Sequence, residues 1–215
     1  MQELDLSAYE SLRAGATVLE ADKHGDKVLR LPDGNFVKLF RRKRLISSAA
    51  LYPYAQRFAD NARALQRLGI PCPEVIGVYR VPGIARDLVH YRPLPGQTLR
   101  QLIAAGQADS ALRERLGELI ARLHERGVYF RSLHLGNVVQ TPQGELGLID
   151  IADMKTQRRA LGRAQRKRNF AHMLRYAEDR QWLLADRGRK LVDGYLRASP
   201  ARMDRAALEL VLQHP

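Results

Sequence analysis

Over the first forty residues, apolar and polar positions alternate in short runs cut by turn formers. ATVLEAD (16–22) and KVLRL (27–31) flank Lys23-His24-Gly25-Asp26, and Pro32-Asp33-Gly34-Asn35 makes a second turn before FVKLF (36–40). This pattern predicts a three-strand antiparallel meander. On the third strand Phe36, Lys38 and Phe40 share one face and Val37 and Leu39 the other, so Lys38 sits mid-strand among apolar neighbours. Taken alone, it is an edge-strand lysine in solvent. A helix is predicted over about 54–68, with Phe58, Ala62 and Leu65 on one face and Gly69 as its stop. Ile70-Pro71-Cys72-Pro73 is held extended by its prolines. VIGVYRV (75–81) and ARDLVHYRPL (85–94) then read as an antiparallel pair around Pro82-Gly83.

From Thr98 the apolar period changes from two to about 3.6. The change predicts a boundary near Pro93 to Gly96, with lobes at 1–94 and 95–215. Leu112, Leu116, Leu119, Ile120 and Leu123 form a helical stripe, and Gly127 lies where a C-terminal cap glycine belongs. VYF (128–130) and GLIDI (147–151) are short apolar segments separated by a loop and the turn Thr141-Pro142-Gln143-Gly144. Beyond them Phe170, Met173, Leu174 and Ala177 give one stripe, and a further helix is expected to run to the C-terminus. The fold class is α+β: a small antiparallel sheet with one helix, then a mainly helical, shortened second lobe.

Composition narrows the picture. At 215 residues and 45% hydrophobic content the chain suits one large domain or two small lobes with a real core, which excludes disorder. Lys+Arg 36 against Asp+Glu 23 gives a net charge of +13, so anions are expected partners. A lone cysteine, Cys72, excludes an internal disulfide and a multi-cysteine zinc site. MQELDLSAYE has no basic n-region before an apolar stretch, and the uncharged run 45–56 is shorter than the ~18 residues of a membrane span. The expected location is cytoplasmic, with any membrane contact peripheral.

The informative stretch is FRSLHLGN (130–137) followed by LID (148–150). Against the kinase catalytic-loop pattern H-R-D-L-x-x-x-N, Arg131, Leu133 and Asn137 match, while Phe130 replaces His and Ser132 replaces the catalytic Asp. Asp150-Ile151-Ala152 stands where the pattern has D-F-G. With FVKLF, LQRLGIPCPEVIGV (65–78), YRPLPGQTL (91–99) and LIDIADMKTQRR (148–159), in that order, the chain resembles the bacterial lipopolysaccharide kinase family. That family has the two-lobed protein-kinase-like fold and phosphorylates inner-core heptose or Kdo sugars. The resemblance runs from about residue 16 to 180. It implies ATP and Mg²⁺ as cofactors, a nucleotide and an anionic sugar or lipid-linked acceptor as partners, and a place at the inner face of the inner membrane.

Phosphoryl transfer needs the nucleotide phosphates held, their charge offset by Mg²⁺ and an acceptor hydroxyl aligned. Asn137 and Asp150 supply the hard oxygen ligands that Mg²⁺ takes, and Lys38 would approach the phosphates. Each has a plainer role: Asn137 as a turn residue, Asp150 as a helix cap. In place of a glycine-rich loop stands Lys23-His24-Gly25-Asp26, with Gly25 its one glycine and Lys23 or Lys27 beside the phosphates. A partner for Lys38 is expected on the first helix, where either Asp60 or Asn61 falls near the register. Ser132 cannot accept a proton as a carboxylate does, a loss worth ~10²–10⁴ in rate. His134 and Asp153 are the candidate substitutes, against structural roles in loop packing and in capping or ion pairing.

Seven cations and no acids lie over 155–168: Lys155, Arg158, Arg159, Arg163, Arg166, Lys167 and Arg168. Arginines grip phosphate and carboxylate bidentately, so Arg158, Arg159, Arg163 and Arg166 are the candidate acceptor-binding residues, against the alternative of a solvated face. Three functions stay open: a kinase acting on a lipopolysaccharide sugar, a pseudokinase that binds or regulates, and a nucleic-acid-binding protein using the basic patch. Against the last, the sequence has no helix-turn-helix phrase, zinc spacing or aromatic-basic interleaving.

Overall fold

The computed structural model describes residues 1–42, 52–199 and 203–213. The uncharged stretch 45–56 falls partly outside them. The chain divides into two compact units, Met1–Leu94 with Ile151–Asp153, and Pro95–Asp150 with Met154–Pro215.

The first unit is a six-stranded sheet. Its strands are β1 (Gln2–Glu3), β2 (Thr17–Asp22), β3 (Gly25–Arg30), β4 (Phe36–Arg41), β5 (Glu74–Val81) and β6 (Arg86–Arg92), in spatial order β1-β5-β6-β4-β3-β2. The short β1 runs parallel to β5 and every other pairing is antiparallel. The meander is present, and so is the β5–β6 pair. Lys38 is no edge residue: β4 lies between β3 and β6, where Lys38 opposes Val28 and Val89 and is half-buried.

Alternation along β4 sends its two sets of side chains to two helices. Val37 and Leu39 join Leu29, Leu31, Val81, Leu88 and Tyr9 in one buried cluster. Tyr9 belongs to α1 (Leu6–Arg13), a helix absent from the sequence-based expectation. Asp5 caps it, accepting from the Ala8 N–H at 2.8 Å. The other face carries α2 (Tyr54–Arg67), where Phe58 lies 5.0 Å from the Tyr91 ring and Tyr54 stacks on Phe40 at 6.1 Å. Lys38, in register with Phe36 and Phe40, is on the α2 face.

The second unit is mainly helical: α3 (Leu99–Ala104), α4 (Ser110–Glu125), α5 (Arg163–Met173), α6 (Ala177–Leu183), α7 (Arg189–Ala198) and α8 (Arg205–Gln213). Small strands connect them. β7 (Gln97–Thr98), β9 (Val138–Gln140) and β10 (Leu146–Leu148) form one sheet, and β8 (Val128–Phe130) pairs with β11 (Met154–Thr156). Helices α4 and α7 meet glycine to backbone: a Cβ on Gly117 would stand 2.2 Å from the Leu191 carbonyl oxygen, and one on Gly194 1.9 Å from that of Glu114. Gly127, at φ +72, ends α4 as expected. The stripe drawn through Ala177 is corrected: Phe170, Met173 and Leu174 are buried, but the chain turns after α5 and Ala177 begins α6 exposed.

Candidate functional site

The loop between β8 and β9 is closed by its own backbone and anchored from behind. The Phe130 carbonyl accepts from the Leu133 N–H at 3.2 Å and the His134 carbonyl from the Asn137 N–H at 2.9 Å. The anchor is Asp179 of α6, which is 1% exposed and accepts from the Leu135 N–H at 3.0 Å. Arg100 of α3 clamps the same carboxylate bidentately, Nε to Oδ1 at 2.7 Å and Nη2 to Oδ2 at 3.0 Å. Its guanidinium also lies 4.6 Å from the ring of Tyr176. Neither Arg100 nor Asp179 is legible as a site residue, because 79 residues separate them and each stands in an ordinary helical context.

Asn137 is 7% exposed, and its amide is oriented by two loop acceptors. Nδ2 donates to the Ser132 carbonyl at 2.9 Å and faces His134 Nε2 at 3.1 Å. Both amide hydrogens are thereby used within the loop, which leaves Oδ1, an oxygen acceptor, outside these bonds. The Asn137 carbonyl accepts from the Ile149 N–H at 3.0 Å, and Leu148 pairs with Val138. This β9–β10 register brings the residue before Asp150 onto Asn137. Asp150 is exposed, between the buried Leu148 and Ile151, with φ +52. That left-handed conformation is uncommon for a side-chain-bearing residue and concentrates at functional positions. An amide oxygen and a carboxylate fit Mg²⁺, which takes one or two protein oxygens and completes its shell from water and phosphate. Among the described residues no group of three or more His, Cys, Asp and Glu could hold a metal.

His134, a candidate base, is turned into the loop. Its Nε2 lone pair faces the Asn137 amide, its Nδ1 is buried without a partner, and its ring meets Tyr176 edge-on at 5.1 Å. Burial first, then the Arg100 charge, pushes its pKa down. The imidazole is neutral, but its lone pair is already committed, so it positions Asn137. Asp153 ends the short 3-10 turn Ile151–Asp153, which belongs to the first unit.

Within the first unit, Asn61 and Asp60 point to different places. Asn61 is buried on α2 and its Nδ2 donates to the Ile151 carbonyl at 2.7 Å, tying the helix to the segment after Asp150. Asp60 accepts from Tyr52 Oη at 2.8 Å, Gln56 at 3.0 Å and Arg63 at 3.0 Å. In the hairpin, Gly25 has φ +107, a conformation suited to glycine. Lys23 is exposed, whereas Lys27 is paired with Glu20 at 2.8 Å and Asp22 at 3.7 Å, with its pKa raised chiefly by Glu20. The turn is strapped by Arg86, which donates to the His24 carbonyl, and Arg41 meets His24 Nε2 at 3.1 Å.

The basic run is not a single surface. Lys155, Arg158, Arg159, Arg163, Lys167 and Arg168 are exposed, but Arg166 is 0% exposed. Its guanidinium donates to the Leu161 carbonyl, Tyr195 Oη, Ser199 Oγ and Glu125 at 2.7–2.9 Å. Arg166 is therefore removed from the acceptor-binding set: its donors are spent inside the helical core.

The α+β architecture, with a sheet unit and a helical unit, is that of a two-lobed kinase-like protein. A model of the lipopolysaccharide kinase (Kdo/WaaP) family matches residues 4–195, and the chain belongs to that family. No curated protein matches the chain. It is similar to solved structures of the bifunctional kinase-methyltransferase WbdD, at 17% identity over 83% of this chain and 45% of that chain, TM-score 0.48. Against monomeric WbdD the values are 16% identity over 89% of this chain and 43% of that chain, TM-score 0.45. The chain thus spans less than half the length of these solved chains. No described helix is long and apolar enough to cross a membrane.

Proposed function

We propose that this chain is an ATP- and Mg²⁺-dependent phosphotransferase whose acceptor is a hydroxyl of a lipopolysaccharide inner-core sugar or a related anionic lipid-linked sugar. Membership of the lipopolysaccharide kinase family supports the reaction class. The observation that carries the site assignment is the orientation of Asn137, whose amide hydrogens are used within the loop so that Oδ1 is the atom left for a cation. Asn137 and Asp150 would hold Mg²⁺, which offsets charge on the transferring phosphates. Lys38 would hold the nucleotide phosphates, with Asn61 rather than Asp60 the α2 residue that supports it, since Asp60 is bound to Tyr52, Gln56 and Arg63. Lys23 and Gly25 would cover the nucleotide, Lys27 acting through the Glu20 and Asp22 pairs that shape the hairpin. Arg158, Arg159 and Arg163 would take the anionic acceptor at the inner membrane surface, on the cytoplasmic side.

With Ser132 in place of a carboxylate and the His134 lone pair committed, Asp153 is the remaining candidate base, and positioning and electrostatics carry most of the rate. The same two facts favour the second reading, a pseudokinase that binds nucleotide without transferring phosphate. Transfer of labelled γ-phosphate from ATP to lipopolysaccharide-derived acceptors separates them. Slow native transfer, abolished by Asp150→Asn and lowered by Asp153→Asn, supports the kinase. Nucleotide binding with no native transfer, and transfer that appears in Ser132→Asp, establishes the pseudokinase.

A further inference from the structure

The buried polar groups of the helical unit form one directed chain. Arg166 Nη1 lies 2.7 Å from Tyr195 Oη, Tyr195 Oη 2.9 Å from His124 Nδ1, His124 Nε2 3.1 Å from Asn169 Oδ1, and Asn169 Nδ2 2.6 Å from the Phe130 carbonyl. Its carbonyl end fixes its direction. A guanidinium can only donate and a carbonyl can only accept. Tyr195 Oη therefore accepts from Arg166 and donates to His124 Nδ1; His124 Nε2–H donates to Asn169, and Asn169 donates to Phe130. The scheme requires a neutral imidazole, and burial, ahead of the Arg166 charge, pushes the His124 pKa down to about 3. Arg166, Tyr195, His124 and Asn169 are each 0% exposed.

The chain ends on a particular atom. The Phe130 carbonyl that accepts from Asn169 is the one that accepts the Leu133 N–H and closes the turn carrying Arg131 and Ser132. The next carbonyl but one, that of Ser132, holds the Asn137 amide. We infer that Asn169 and Tyr195 are positioning residues for the metal-binding loop, and that Arg166 holds the far end of the hydrogen-bond chain that locks its first turn. This gives the buried member of the basic run a role distinct from acceptor binding, and it rests on the proposed function only for the purpose of the loop.

Tyr195→Phe cuts the chain in its middle while keeping the ring that packs on Phe170 and His124. Ser199→Ala removes a side branch and leaves the chain intact. In amide hydrogen exchange of the whole protein without ligand, Tyr195→Phe should speed exchange of the Leu133, Leu135 and Asn137 amides at least tenfold. The amides of α4 and α7 should stay within threefold, and Ser199→Ala should leave the loop unchanged. Unchanged loop exchange in Tyr195→Phe, or loop and helices accelerating together, would overturn the inference. The Mg²⁺-dependent part of the thermal shift given by ATP should fall by at least half in Tyr195→Phe. If native protein shows no such shift, the phosphotransferase reading fails, while the exchange measurement still decides the positioning claim.

Discussion

Replacing Arg100 by methionine removes the clamp on Asp179 while keeping much of the aliphatic stem. It leaves a carboxylate that is 1% exposed and still accepts from the Leu135 N–H at 3.0 Å. Breaking a buried pair from one side costs about 3–5 kcal/mol because a charge is left uncompensated. Arg100 itself is 32% exposed, so water enters when it is cut back and the expected loss falls to about 2–3 kcal/mol. Asp179→Asn is the informative contrast. It keeps an oxygen for Leu135 and removes the buried charge, while Arg100 retains Glu178 at 3.2 Å, so the expected cost is about 1 kcal/mol. The double variant should then be more stable than the sum of the single losses implies. Trp182, the one tryptophan, lies three residues beyond Asp179 in α6 and donates to the Ala108 carbonyl at 3.2 Å, so its fluorescence reports urea unfolding of this unit. A loss under about 0.5 kcal/mol for Arg100→Met, or strict additivity in the cycle, would refute the idea that this pair anchors the loop.

Three further outcomes follow from the geometry. Gly117→Ala and Gly194→Ala each drive a Cβ into backbone, at 2.2 and 1.9 Å, and should cost about 3 kcal/mol or more in the same unfolding experiment. Because the folded pKa of His124 is about 3, below its unfolded value, its contribution is complete above about pH 6.5 and is lost as the unfolded chain takes up the proton. Urea titrations should show about 2–3 kcal/mol lost between pH 6.5 and 4.5, with the loss flattened in His124→Gln. Burial pushes the Cys72 thiol up to about 11, so at pH 8 its labelling by a disulfide reagent should be ~10²-fold slower in the native than in the urea-unfolded protein.

The strands around Lys38 and the stripe of α4 were legible because each buries one face, and burial of one face leaves a period in the sequence. Helix α1 left a fainter mark: Asp5 and the spacing of Leu6, Tyr9 and Leu12 are its signal, but Tyr9 is its one buried residue. The order of Lys38, Asn137 and Asp150 could be read from motifs. The buried contacts behind the loop of Asn137 could not, since Arg100 and Asp179, or Arg166 and Tyr195, meet through tertiary packing that no local pattern encodes. The basic run shows the same limit. Arg163 and Lys167 look like Arg166 in composition, yet helical phase turns Arg166 inward to Tyr195, Ser199 and Glu125.

In the proposed nucleotide site the metal is held by Asn137 and Asp150. That site is tested most directly by the thermal stability of the native protein and of Asp150→Asn with ATP, in the presence and absence of Mg²⁺. At a hundredfold excess over its dissociation constant, Mg²⁺·ATP should stabilise the native protein by about 2.7 kcal/mol, and Asp150→Asn should lose the metal-dependent part. An ATP effect that is absent, or that is indifferent to both Mg²⁺ and Asp150→Asn, would contradict the claim.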